Sequence, residues 1–112
     1  MTTLGIDLGT GSVKAAVVSA KGAILSHASK TYSVQSPSPG WAESDPAEWL
    51  QAAEEVAQEA IRLSPQAPVA VGFSGQMHGV VIADASFTPL RPAILWADTR
   101  SAAQAQQMNE EL

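Results

Sequence analysis

Apolar and polar positions divide the chain into a strand-like first third, one long amphipathic stretch, and a mixed remainder. Leu4–Asp7 is a short apolar run ending on an acid, and Leu8-Gly9-Thr10-Gly11 reads as a turn. Ser12–Ser19 is β-branched and apolar, Lys21-Gly22 signals a second turn, and Ala23–Tyr32 returns as a third strand. Two tight returns in succession predict antiparallel pairing, because a parallel crossover needs about a dozen residues or more. Gln35–Ser44, with its Ser-Pro-Ser-Pro-Gly run, predicts a loop. Asp45-Pro46-Ala47-Glu48 then carries a helix start: an acceptor at the cap, proline in the first turn and glutamate three residues on. Trp49, Ala52, Ala53, Val56, Ala60 and Leu63 follow at helical spacing, and the helix stops before Pro65. Val69–Ser74 is a continuous apolar run, the pattern of a buried strand, and a long helix before it predicts a parallel crossover. After an interruption at Gly75–Gly79, Val80–Asp84 and Ala93–Ala97 read as strands around an Ala85–Pro89 turn. From Thr99 to Leu112 the composition is helical.

This order predicts an α/β chain whose mixed sheet has three N-terminal antiparallel strands and a crossover helix. Two helices cannot cover both faces of such a sheet. The last helical segment also has no glycine stop and no proline beyond it. The 112 residues therefore read as the first part of one domain of a larger protein.

Composition narrows the function classes. Six basic against eleven acidic residues give a net charge of −5, the wrong sign for a nucleic-acid binder. There is no cysteine, hence no disulfide framework, zinc ribbon or thiol nucleophile. No apolar run approaches the roughly twenty residues of a bilayer span, and no basic leader precedes the early Asp7. A soluble, cytoplasmic domain without membrane or nucleic-acid partners is the expectation. The acids crowd between Glu43 and Glu59, where they read as the solvated face of the helix, with negative charge favoured at its start.

Three segments carry candidate chemistry. In Asp7-Leu8-Gly9-Thr10-Gly11-Ser12-Val13-Lys14 a strand delivers a carboxylate to a glycine-rich, hydroxyl-bearing turn. Such a turn can aim backbone N–H groups at an anion, beside a carboxylate able to hold a divalent cation through water. A Walker lysine is absent, and no helix follows the glycines as a dinucleotide fingerprint requires. The same residues also read as an ordinary hairpin turn. Ser74-Gly75-Gln76-Met77-His78-Gly79 stands where a strand ends, the place of a ligand crevice in an open α/β sheet. Gln76 and His78 can hydrogen-bond hydroxyls and Met77 offers an adaptable apolar wall, which suits a neutral polyol; a loop with a solvated histidine is the other reading. In Leu95-Trp96-Ala97-Asp98-Thr99-Arg100, Trp96 suits either a sugar-facing wall or the core. Asp98 reads as the cap of the next helix and Arg100 as its partner or that of another carboxylate.

Asp-Leu-Gly-Thr-x-x-x-Lys after a short first strand resembles the phosphate motif of the actin, hexokinase and heat-shock ATPase superfamily. With Gly5–Thr10, Gly40–Pro46 and Trp96–Arg100 taken together, the chain closely resembles the FGGY carbohydrate kinases over essentially its whole length. Gly75–Gly79 followed by Leu90–Trp96 is similar to its xylulokinase-like members, whereas glycerol kinases carry Arg-Glu where Met77-His78 stands. Related gluconokinases share Met-His but usually lack the preceding Gly-Gln. The resemblance implies a ribonuclease-H-like half-domain, the N-terminal part of a kinase that consumes ATP, with Mg2+ as cofactor, and phosphorylates a ketose. It implies that Asp7 holds magnesium through water and orients the γ-phosphate. Gly9, Thr10, Gly11, Ser12 and Lys14 would line the phosphate channel. Met77 and His78 would bind the sugar, with Gln76 and Trp96 shaping its pocket. The general base would lie beyond residue 112, leaving this piece inactive alone. The alternatives are another FGGY sugar or polyol kinase, gluconokinase-like for example, a non-catalytic actin-like nucleotide-binding or assembly module, or a fragment that only dimerises through its uncovered face.

Overall fold

The structure is a computed structural model and describes residues 1–112. Strands β1 (Thr2–Leu8), β2 (Ser12–Ser19) and β3 (Ile24–Thr31) pair antiparallel in sequence. Their two-residue alternation sorts the sheet into faces. Leu4 and Ile6 of β1, then Val13, Ala15 and Val17 of β2, turn to one side and are buried there. Asp7 and Lys14 turn to the other and are exposed. A bulge between Val17 and Val18 shifts the β2–β3 register.

After β3 come the two-residue strand β4 (Glu43–Ser44) and the helix α1 (Pro46–Leu63). Asp45 caps α1 by accepting from Ala47 N–H at 2.9 Å. Glu48 does not reach back to the cap, as the capping-box pattern predicts; it accepts from Ser33 N–H at 3.0 Å and ties the preceding loop to the first helical turn. Ala52, Val56 and Ala60 form the buried stripe of α1, with Trp49 and Ala53 partly buried beside it. Small residues let the helix lie close to β1, β2 and β3, so that Ser26 of β3 donates to the carbonyl of Ala60. Leu63, at the end of the stripe, is exposed.

The helix returns the chain to β5 (Ala70–Gly75), which pairs parallel with β1 and completes the order β3-β2-β1-β5. The sequence predicts a buried strand here, yet every residue of β5 is exposed. The strand lies at the sheet edge, and α1 packs over β2 and β3 rather than over it, leaving Phe73 70% exposed. Val80–Asp84 does not form a strand. It makes single bridges, Val80 to Ile94 and Ala83 to Pro89, because Pro89 and Pro92 have no N–H to extend a ladder. The strand expected over Ala93–Ala97 is limited to β6 (Ala93–Ile94), paired with β4, and the loop expected over Gln35–Ser44 therefore ends in a strand. Helix α2 runs over Ala102–Glu111. No helix is long and apolar enough to cross a membrane.

A charged brace joins the two segments outside the main sheet. Arg100 donates to Asp98 through Nε and Nη2 and to Glu43 at 2.8 Å, and Arg91 donates to Glu43 at 2.6 Å. The Arg100 guanidinium lies 3.8 Å from the centroid of Trp41, a cation–π contact. Asp98 also accepts from the N–H groups of Ala42 and Arg100, so it holds two loops together instead of capping α2, whose first residues have no side-chain cap. Glu43 is buried in this brace, not part of a solvated helical face. Gly40 belongs to the same junction: its φ is +79° and a Cβ there would lie 2.5 Å from Thr99 Oγ1, so only glycine fits.

Two outcomes follow for stability. Val56→Ala removes two buried methyl groups beneath the sheet and should destabilise the full-length protein by about 2 kcal/mol, read as a lower urea midpoint at unchanged m. The Arg100 guanidinium, ahead of backbone N–H donors, holds the Asp98 carboxyl well below the usual carboxylate range. A depressed folded pKa stabilises above the unfolded value of about 3.9 and is lost as pH falls through the folded one. Asp98→Asn should therefore lower Tm at pH 7, with the gap to wild type closing below roughly pH 4. A gap independent of pH would contradict this account.

Candidate functional site

Parallel pairing fixes where the candidate segments meet. Asp7 stands opposite Ser74 and Leu8 opposite Gly75, so β1 and β5 end at the same level. The turn after β1 and the Gly75–Gly79 loop after β5 therefore leave the sheet side by side, at the carboxyl ends of parallel strands where α/β sheets bind ligands.

The turn is tight. Gly9 N–H donates to the Ser12 carbonyl at 2.8 Å, and a Cβ at Gly9 would stand 2.9 Å from that same oxygen. The N–H groups of Thr10 and Gly11 donate to nothing within the chain, which leaves two adjacent backbone donors free at the tip. Asp7 Oδ1 accepts from Ser74 Oγ at 2.7 Å. Lys14 pairs directly across from Asp7 in the β1–β2 register. Both residues open into a cleft of ≈ 670 Å³ on the sheet face opposite α1, shared with His27, Ser29 and Ser74.

The second candidate loop touches the first turn. Gln76 Nε2 donates to the Gly9 carbonyl at 3.2 Å, and Trp96 Nε1 donates to Thr10 Oγ1 at 3.0 Å. Thr10, Gly75, Gln76, Met77, His78 and Trp96 line one pocket of ≈ 280 Å³. Trp96 is 62% exposed and Met77 85% exposed, so both are walls of that pocket and not core residues. Gln76 Oε1 is buried without a hydrogen-bond partner. With Nε2 engaged by Gly9, the free amide oxygen is an acceptor awaiting a donor. Lys14 does not join this pocket; it lies around the turn from it, with Asp7.

Tyr32 escapes the sequence reading. It follows β3, buried, and its hydroxyl donates to the Gly9 carbonyl and sits 2.9 Å from the Ser12 carbonyl. Burial, and then the negative charge of Asp7, push its phenol above the ordinary tyrosine range, so it stays a hydrogen-bond donor. The signal available was parity: Ser26, Ala28, Lys30 and Tyr32 fall on the α1 side of β3. Ser74, the partner of Asp7, was legible only as the end of a strand.

Comparison with known proteins agrees with this architecture. The family model described as "FGGY family of carbohydrate kinases, N-terminal domain" matches residues 2–112. A xylulose kinase of Staphylococcus epidermidis is 41% identical over 110 residues, which are 96% of this chain and 22% of that protein. A gluconokinase of Bacillus subtilis is 36% identical over 97% of this chain and 21% of its own length. The crystal structure of a xylulose kinase from Rhodospirillum rubrum superposes with a TM-score of 0.95 at 30% identity, over 100% of this chain and 24% of that one. The chain thus spans about a fifth of the length of the curated relatives it matches. It belongs to the FGGY family of carbohydrate kinases and is similar to the xylulose kinases among them.

Proposed function

We propose that this chain holds the sugar and the transferring phosphate of an ATP-dependent kinase that converts D-xylulose to D-xylulose 5-phosphate in the cytoplasm. The observation that carries the reading is the contact between the two loops: Gln76 donates to Gly9, and one pocket is shared by Thr10, His78 and Trp96. Phosphoryl transfer is mostly positioning and charge stabilisation, so the acceptor hydroxyl and the phosphate must be held at adjoining sites.

The residues have separate tasks in this proposal. His78 hydrogen-bonds sugar hydroxyls, Met77 and Trp96 enclose the carbon skeleton, and the orphaned Gln76 Oε1 accepts from one hydroxyl. The free N–H groups of Thr10 and Gly11 and the hydroxyl of Ser12 receive phosphate oxygens, Gly9 keeps the turn tight through its bond to the Ser12 carbonyl, and Lys14 adds positive charge from across Asp7. The donor set around Asp7 fits a hydrated magnesium ion. No three carboxylates or imidazoles gather into a cage, and a single carboxylate with waters and phosphate oxygens is a usual magnesium environment. Bound there, the ion supplies positive charge against the phosphates. A sugar hydroxyl attacks the γ-phosphorus in line, forming a new P–O bond as the bond to the ADP oxygen breaks. We assign the base that takes the hydroxyl proton to a region outside residues 1–112. Asp98 is engaged by Arg100 and Asp84 accepts from the amides of Ser86 and Thr88, away from the pocket.

A gluconokinase-like substrate is the second reading, favoured by the 36% identity to the Bacillus subtilis enzyme. The pocket argues for the neutral sugar, since neither Arg nor Lys lines it to meet a carboxylate. The full-length protein should consume ATP faster with D-xylulose than with gluconate or glycerol, measured by ADP release; no stimulation by xylulose would refute the substrate. His78→Ala should raise the KM for the ketose by about 10-fold or more and leave the KM for ATP within roughly twofold, the loss expected when a polar contact to a bound hydroxyl goes. Residues 1–112 alone should transfer no phosphate, and turnover by that piece would overturn the placement of the base.

A further inference from the structure

Tyr32 reaches the phosphate turn three times. Its hydroxyl donates to the Gly9 carbonyl and lies 2.9 Å from that of Ser12, and its own N–H donates to the Gly11 carbonyl at 3.1 Å. The ring is buried and tilted against Trp49, with centroids 6.2 Å apart, so the residue is held from the core side. No peptide bond in the chain is cis. In a planar trans peptide the carbonyl and the following N–H point in opposite directions. Holding the Gly9 and Gly11 carbonyls toward Tyr32 therefore turns the N–H groups of Thr10 and Ser12 away from it. The turn carries no side chain at Gly9 or Gly11 that could fix these peptide planes itself.

We infer that Tyr32 is a positioning residue for phosphate binding: from beneath, it orients the Gly9–Thr10 and Gly11–Ser12 peptide planes so that the N–H groups of Thr10 and Ser12 face the terminal phosphates of the nucleotide. It touches neither substrate. The inference rests on the kinase reading above for the identity of the ligand. The anchoring itself is a property of the turn, measurable without turnover.

The test is Tyr32→Phe in the full-length protein, which keeps the ring against Trp49 and removes only the hydroxyl. Titration calorimetry with ATP should show affinity weakened roughly 3- to 10-fold, the loss of one net hydrogen bond. The KM for ATP should rise in parallel, with the KM for the ketose within about twofold. Hydrogen exchange should quicken at the Gly9 amide, which is bonded to the Ser12 carbonyl, and stay at wild-type rates in the rest of β1 and β2. Val56→Ala serves as the comparison, lowering Tm without moving ATP affinity. Unchanged ATP affinity and unchanged exchange in the turn would overturn the inference, as would equal losses for ATP and ketose with faster exchange throughout the sheet. Wild-type protein that binds ATP but shows no ketose turnover sinks the substrate proposal alone, and the Tyr32→Phe affinities still decide this one. Wild-type protein that binds no ATP refutes both.

Discussion

The parallel pairing of β1 with β5 is the constraint from which the remaining architecture follows. A parallel neighbour cannot be reached by a tight turn, so the chain must leave the sheet, cross it and come back. Helix α1 makes that crossing, and its small stripe of Ala52, Val56 and Ala60 seals the face built by Leu4, Ile6, Val13 and Val17. The same pairing aligns Leu8 with Gly75, and so brings two loops 67 residues apart in sequence into hydrogen-bond contact. An antiparallel β5 would send the Gly75–Gly79 loop to the opposite end of the sheet.

A second layer of organisation keeps these loops in place. The turn after β1 has only one internal backbone bond, between Gly9 and Ser12, and takes the rest of its support from outside: Tyr32 below, Gln76 and Trp96 beside it. Trp96 in turn sits between β6 and the Asp98–Arg100 brace. That brace gathers two carboxylates and two guanidiniums, Glu43 and Asp98 with Arg91 and Arg100, so the partly buried charges balance. Burying charges is costly unless they are paired, and here pairing is achieved by side chains from two distant segments. The arrangement favours one geometry of the Gly40–Ser44 and Leu95–Arg100 strips over alternatives that would leave a charge without its partner.

The strands β1 to β3, the cap at Asp45 and the stripe of α1 were legible in the sequence because each is set by local period, turn chemistry or capping. The meeting of Gln76 with Gly9 was not, nor was the grip of Tyr32 on the turn, since nothing local links them. Glu43 reads as one more solvated acid in a row of six, and only its arginine partners from 48 and 57 residues away make its burial tolerable. Asp98 has the spacing of a helix cap, but the same oxygen atoms are better satisfied by Arg100 and the Ala42 amide. The run Val69–Ser74 has the composition of a buried strand, and composition cannot say that α1 passes over β2 and β3 instead.

By itself, then, the sequence determined the periodic elements, the tight glycine turn and the chemical types its loops offer. Those depend on residues within a few positions of one another, whose conformational preferences act before any long-range contact forms. Only the tertiary structure decided which side chains share a pocket, which acids are buried and which tyrosine holds the turn. These outcomes depend on sheet register and on pairing across tens of residues, where a partner is selected by geometry in three dimensions and leaves no periodic trace along the chain.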